Sequence, residues 1–171
     1  FSVVESYNYT AESISTYMKA LAPGGVLAVT IWNKQDLPKA VPKLFSTMVS
    51  AAWARDGKAA ADRFFVMHGY LSTVTVLYKK GGFSKPDIEK LQAHVDDMSF
   101  VTLYKPGQTI SPALAPALFR GFRATHFPNP VMANAKRSQK GPGPALSWDN
   151  LYRVMLDALM HGRFKELENN Y

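Results

Sequence analysis

Glu5, Tyr7 and Tyr9 place one carboxylate and two aromatic rings close together in the chain. Such a set can hold a cationic amine, the carboxylate pairing with the charge while ring faces stack on it. The plainer reading packs Tyr9 on a helix and leaves Glu5 in water. Trp32-Asn33-Lys34 is a second polar and aromatic group. Trp32 reads chiefly as packing, because Trp is usually mostly buried. His68, His94, His126 and His161 are scattered, and no pair has metal-ligand spacing with a nearby carboxylate pattern. His94 with Asp96 and Asp97 is the nearest cluster, read as surface charge near the end of a helix. No histidine has a positioned acid–base partner in the sequence, so no catalytic residue and no metal site are assigned. No Gly-x-Ser-x-Gly elbow supports hydrolase chemistry.

Composition narrows the classes. The 171 residues are 47% hydrophobic and 19% charged, too apolar for a disordered chain. There are no cysteines, which excludes a disulfide framework, thiolate catalysis and cysteine-ligated metal. No apolar run approaches the ~20 residues that cross a bilayer, and Glu5 and Asn8 interrupt any signal-peptide core. The first residue is Phe1 rather than Met, which leads us to expect a piece of a longer protein.

The elements that must position these residues follow from pattern. Thr10 can cap a helix whose stripe is Ile14, Tyr17, Met18 and Leu21. Pro23-Gly24-Gly25 stops it. Val26–Trp32 is a continuous apolar run, which predicts a strand covered on both faces as in a parallel sheet. A helix follows to about Arg55, with Val41, Leu44, Phe45, Met48 and Ala52 facing the core. Residues 63–69 and 73–79 read as two strands whose short link predicts an antiparallel pair. Ser84 and Asp87 match a capping box before a helix bearing Ile88, Leu91 and Val95. Residues 100–104 make a further strand. From Met98 to Trp148 there is no acidic residue, and six Lys and Arg lie among seven of the eleven prolines. We read 106–146 as a Pro-rich basic insertion, largely irregular, with a short helix near 114–122. Ser147 then caps a helical extension over 147–171, with Leu151, Val154, Met155, Ala158 and Leu159 on one face.

This order is α/β. A right-handed crossover would carry Val26–Trp32 to a parallel neighbour. The expected fold is the C-terminal part of a doubly wound, Rossmann-like sheet: parallel strands plus an antiparallel terminal pair, with a helical extension.

Tyr7-Asn8-Tyr9-Thr10-Ala11-Glu12, followed by the run from Leu21 through Pro23-Gly24-Gly25 to Trp32, resembles class I S-adenosylmethionine-dependent methyltransferases. It is more similar still to their spermidine synthase-like branch, whose members are often fused to membrane-spanning segments. Thr73–Ser84 resembles the last strand of that domain and the step into its next helix, and Phe100–Gly107 a short strand and turn. The resemblance covers residues 1–107 and, more faintly, 147–171. It implies that 1–105 is the C-terminal half of the catalytic domain. It also implies that Glu5, Tyr7 and Tyr9 follow the fourth strand, where the substrate pocket of such a domain opens.

Family members carry a glycine-rich loop after the first strand and an acidic residue after the second, which hold the cofactor. No Gly-x-Gly opens a helix here, and Gly141-Pro142-Gly143 lies in a proline-rich stretch. The catalytic aspartate of true aminopropyltransferases would fall before Phe1. The resemblance implies a parent that uses S-adenosylmethionine or its decarboxylated form to transfer a methyl or aminopropyl group, and this chain alone is expected to bind no cofactor and to be inactive. The alternative is a non-catalytic interaction or scaffold module of a membrane-associated protein. We expect self-association or pairing through an exposed sheet edge, an amine or other small acceptor in the parent, and no nucleic acid, because no binding fold accompanies the basic stretch. The expected location is cytoplasmic, or the cytoplasmic face of a membrane in the parent.

Overall fold

The computed structural model describes residues 7–33, 40–108, 110 and 148–162. Helix α1 (Ala11–Ala20) starts where Thr10 accepts a hydrogen bond from the Ser13 amide at 3.2 Å, and it buries Ile14 and Met18. The chain then turns through Pro23-Gly24-Gly25. Gly24 has φ +76°, and a Cβ on Gly25 would stand 2.9 Å from the Ala22 carbonyl oxygen, so neither position admits a side chain without strain. Strand β1 (Val26–Trp32) follows. Helix α2 (Ala40–Asp56) tolerates Pro42 because the first turn needs no amide donor there. A 3₁₀ segment (Gly57–Arg63) leads to β2 (Phe64–His68), and a four-residue tip leads to β3 (Thr73–Lys79). Ser84 and Asp87 close a capping box at the start of α3 (Lys85–Asp97), which is followed by β4 (Val101–Tyr104) and then α4 (Trp148–Met160).

The four strands form one sheet in the order β1-β3-β2-β4. Every pairing is antiparallel, so among the described residues the parallel neighbours expected for a doubly wound sheet are not there. The tight β2–β3 connection is a hairpin, as expected. Its second strand inserts between β1 and β2, which therefore run the same way but never touch. Burial explains the insertion. Val74, Val76 and Tyr78 are buried on one face of β3 and Leu77 on the other, so this strand belongs in the middle.

β1 also departs from expectation. Its residues alternate between half-buried and exposed, and Trp32 is 65% exposed rather than packed. Leu27, Val29 and Ile31 face the main core, while Val26, Ala28, Thr30 and Trp32 face outward. The apolar run reflects an edge strand with one face uncovered among the described residues.

The main core lies between one sheet face and α1, α2 and α4. Phe45, Phe64 and Tyr104 pack there edge-on or tilted, with Phe45 5.5 Å from Phe64 and 5.7 Å from Tyr104. α3 covers the other face over β2 and β3, where Phe65, Leu77 and Val95 are buried. α4 enters the main core through Tyr152, Leu156 and Met160, and Leu159 of the expected stripe packs against that core beside them. Leu151, Val154 and Ala158 are buried as well, so burial around much of the helix blurred its periodicity. The expected helix near 114–122, the Ser147 cap and nearly all of 106–146 lie outside the described residues.

Candidate functional site at the carboxyl end of the sheet

Because β1 and β2 both oppose β3, they end at the same side of the sheet. Trp32 lies opposite Thr73 and His68 opposite Val74. The β2–β3 tip, Gly69–Ser72, closes this end. Leu71 and Ser72 hold left-handed backbone, with φ of 54° and 55°. A bulky residue adopts that region only at a cost. The conformation presents the Ser72 carbonyl to the Asn33 amide, which donates to it at 2.6 Å. Tyr70 donates from its hydroxyl to the Met98 carbonyl at 2.8 Å and stacks edge-on against Phe100. Leu71 itself is 88% exposed.

Helix α4 lies across these strand ends. Asp149 accepts from Nδ1 of His68 at 2.8 Å, Tyr152 donates from its hydroxyl to Oδ1 of Asn33 at 2.5 Å, and Arg153 donates from Nε to the Thr102 carbonyl at 2.9 Å. The spacing 149, 152, 153 puts all three on one helical face, tied respectively to β2, the residue after β1, and β4. Burial raises the Tyr152 hydroxyl to about 12, and Asp149 pushes the same way, against the opposing hydrogen bond to Asn33.

His68 Nε2 is buried with no hydrogen-bond partner among the described residues. With Nδ1 donating to Asp149, Nε2 is the nitrogen left over on the ring. A carboxylate-held imidazole is the usual form of a general base. Here the basic nitrogen is closed off from solvent, so the pair acts first as a tie between β2 and α4. Among the described residues, no group of three His, Asp or Glu side chains is gathered so as to hold a metal ion.

Of the residues singled out from sequence, Asn33 is buried in this cluster, and Trp32 stands at its edge, exposed. Tyr9 ends a 3₁₀ turn (Tyr7–Tyr9) before α1 and is exposed; Tyr7 opens that turn. Lys80 donates from Nζ to the Lys19 and Leu21 carbonyls, which fastens the C-terminus of α1 beside the start of β1. Glu5 and Lys34 lie outside the described residues. His94 packs edge-on near Phe100. His161 bonds from Nδ1 to the Asp157 carbonyl at 2.9 Å within its own helix end. His68 stood in the sequence as one scattered histidine. Its partner lies 81 positions away and the Tyr152–Asn33 pair spans 119, so no local spacing could have revealed either.

The described residues do not fit a sulfonium nucleotide donor. Gly81-Gly82 is the one described glycine pair that follows a strand and leads into a helix. The helix start behind it is already filled, because Asp87 accepts from the Ser84 amide at 2.9 Å and from the Ser84 hydroxyl at 2.7 Å. No protein-family model, no curated protein and no solved structure matches the chain. No helix among the described residues is long and apolar enough to cross a membrane.

Proposed function

We propose that the chain is the carboxyl-terminal part of a spermidine synthase-like, S-adenosylmethionine-dependent transferase domain, which in complete form moves a methyl or aminopropyl group to an amine or other small acceptor. The observation that carries this reading is the pair of co-directional strands, β1 and β2, ending together at a rim where Asn33, His68, Asp149 and Tyr152 gather. In open, mostly parallel α/β sheets ligands sit at the carboxyl ends of the strands, and β1 and β2 share that direction although antiparallel β3 lies between them. The likeness of Tyr7–Glu12 and Leu21–Trp32 to that branch points the same way. Glu5, Tyr7 and Tyr9 are the acceptor-side residues of the proposal, and a cytoplasmic parent, with membrane contact through fused segments, belongs to it.

The described residues supply no cradle for the donor, so the isolated protein is inactive in this reading. Calorimetry tests it. S-adenosylmethionine and its decarboxylated form should give no micromolar binding to the 171-residue chain. They should bind once a preceding segment carrying a glycine-rich loop and an acidic residue is joined to it. Micromolar binding by the chain alone overturns the fragment reading; no binding by the joined chain overturns the transferase.

A second reading, a non-catalytic interaction module, is favoured by one feature: the outer edge of β1 is unpaired among the described residues.

A further inference from the structure

We propose that the end of the sheet opposite the rim is a cationic face that seats on an anionic lipid surface. The inference stands apart from the transferase reading, whose ligands lie at the other end. Strand register gathers the face. β3 ends at Lys79, opposite Val26 at the start of β1, and Phe64 at the start of β2 lies opposite Tyr78. Two helices finish here. Lys80 donates from Nζ to the Lys19 and Leu21 carbonyls at the end of α1, and Asp56, the last residue of α2, accepts from the Tyr78 hydroxyl at 2.9 Å. α3 starts here, because Asp87 in its first turn pairs with Lys79.

The charges sort along the strand direction. At this end the carboxylates of Asp56 and Asp87 are answered by Arg63 and Lys79. Lys19, Lys58 and Lys85 are exposed, and among the described residues none of them has an ion-pair partner. Arg55, beside Asp56, has Nε and Nη1 buried with no acceptor among the described residues. At the far end the sign reverses. α3 finishes there with Asp96 and Asp97, next to Met98, whose carbonyl accepts from Tyr70 in the tip, and Asp149 pairs with His68. The chemistry of the cations selects the occupant. Those exposed at this end are lysines, point charges on flexible stems without the planar fork that grips one phosphate from two sides. The arginines that carry such a fork are half-buried, Arg63 on Asp56 and Arg55 with two nitrogens closed off. Such a face offers a diffuse positive potential rather than directed contacts. That suits a fluid layer of anionic headgroups, to which each nearby lysine adds its own attraction. A nucleic-acid backbone calls for contacts that fix register on evenly spaced phosphates. Tyr17 and Trp53, in the last turns of α1 and α2 and each 39% exposed, are of the kind that settles at headgroup level.

Flotation of the 171-residue chain with phosphatidylcholine vesicles, with and without phosphatidylserine, tests the proposal. The expected result is binding to the phosphatidylserine vesicles alone, falling steeply as salt is raised. The set Lys19→Glu, Lys58→Glu, Lys85→Glu should bind about tenfold more weakly or worse, with an unchanged circular dichroism spectrum. A charge-matched set, Lys136→Glu, Arg137→Glu, Lys140→Glu, reverses cations of the Pro-rich basic stretch instead and should keep most of the binding. The neutral set Lys19→Gln, Lys58→Gln, Lys85→Gln reads the same difference where the reversal set does not fold. A wild type that ignores phosphatidylserine overturns the proposal, as do equal losses in the two charge-matched sets. Tighter binding to a DNA duplex than to the vesicles, lost with the same lysines, gives the face to nucleic acid and overturns it too. Donor calorimetry reads none of these outcomes, so this inference and the transferase reading fail separately.

Discussion

The two edges of the sheet are finished differently. β4 is four residues long, and its pairing with β2 shifts register between Val66 and Met67. Its Thr102 carbonyl accepts from Arg153, its Leu103 carbonyl accepts from Gln108, and Tyr104 is anchored in the core with its hydroxyl donated to the Ala61 carbonyl at 2.9 Å. β1 is longer, regular, uncharged, and exposed along one face. One edge is thus terminated by side chains and a bulge, while the other is a template for a further strand. The lesson is that an edge is closed by what lies far away in sequence: Arg153 reaches β4 from 51 positions downstream.

The largest test of this contrast is Tyr104→Ala. Removing a buried aromatic should cost about 3–5 kcal/mol in urea unfolding and loosen the closed edge. Burial also raises this hydroxyl above the ordinary tyrosine value, with Asp157 and Asp62 adding to the shift. Next is Tyr152→Phe, which leaves Asn33 Oδ1 buried without its donor and should cost about 1–3 kcal/mol. The same variant sharpens a pH dependence. A hydroxyl raised in the folded state contributes stability that is complete below the unfolded value of 10.0 and is lost as pH rises toward about 12. Alkaline unfolding of the wild type should steepen across that window, and Tyr152→Phe should flatten part of it.

Arg153→Met should cost about 1 kcal/mol. By uncapping the Thr102 carbonyl it should make β4 stickier, read as extra association in sedimentation. Trp32→Ala on the open edge should change monomer stability by less than about 0.5 kcal/mol, a deliberate contrast with Tyr104. The smallest effect concerns Asp87. Lys79, and then the Ser84 hydroxyl and amide, hold its carboxyl well below the usual carboxylate range. Its contribution is present above the unfolded value of 3.8 and is lost only as pH falls into strong acid. Carbon-detected NMR titration should find Asp87 still ionised where ordinary carboxylates are already protonated, and returning toward the ordinary value in Lys79→Ala.

Much of the local structure was legible in the residues. Thr10 and Ser84 marked helix starts because capping is a matter of three or four neighbouring positions. Pro23-Gly24-Gly25 marked a turn because backbone geometry there excludes side chains. Val26–Trp32 and Thr73–Lys79 read as strands with the bounds they have. The directions and neighbours of the strands were less legible. An apolar run predicts burial, but Val26–Trp32 became an edge because β3, buried on both faces, took the central place. The candidate site was legible only at Asn33. His68 gained meaning from Asp149, and Asn33 from Tyr152, through a helix that returns after a long intervening stretch.

The sequence by itself determined where helices begin, where turns fall, which residues want a core, and that no thiolate chemistry operates here. These are properties of short windows, governed by backbone sterics and local hydrogen bonds. Only the tertiary structure decided that β3 separates β1 from β2, that Trp32 faces outward, and that α4 closes one end and one edge of the sheet. Those outcomes depend on competition among whole strands for the most buried position, and on polar partners brought together across more than a hundred residues by burial rather than by spacing.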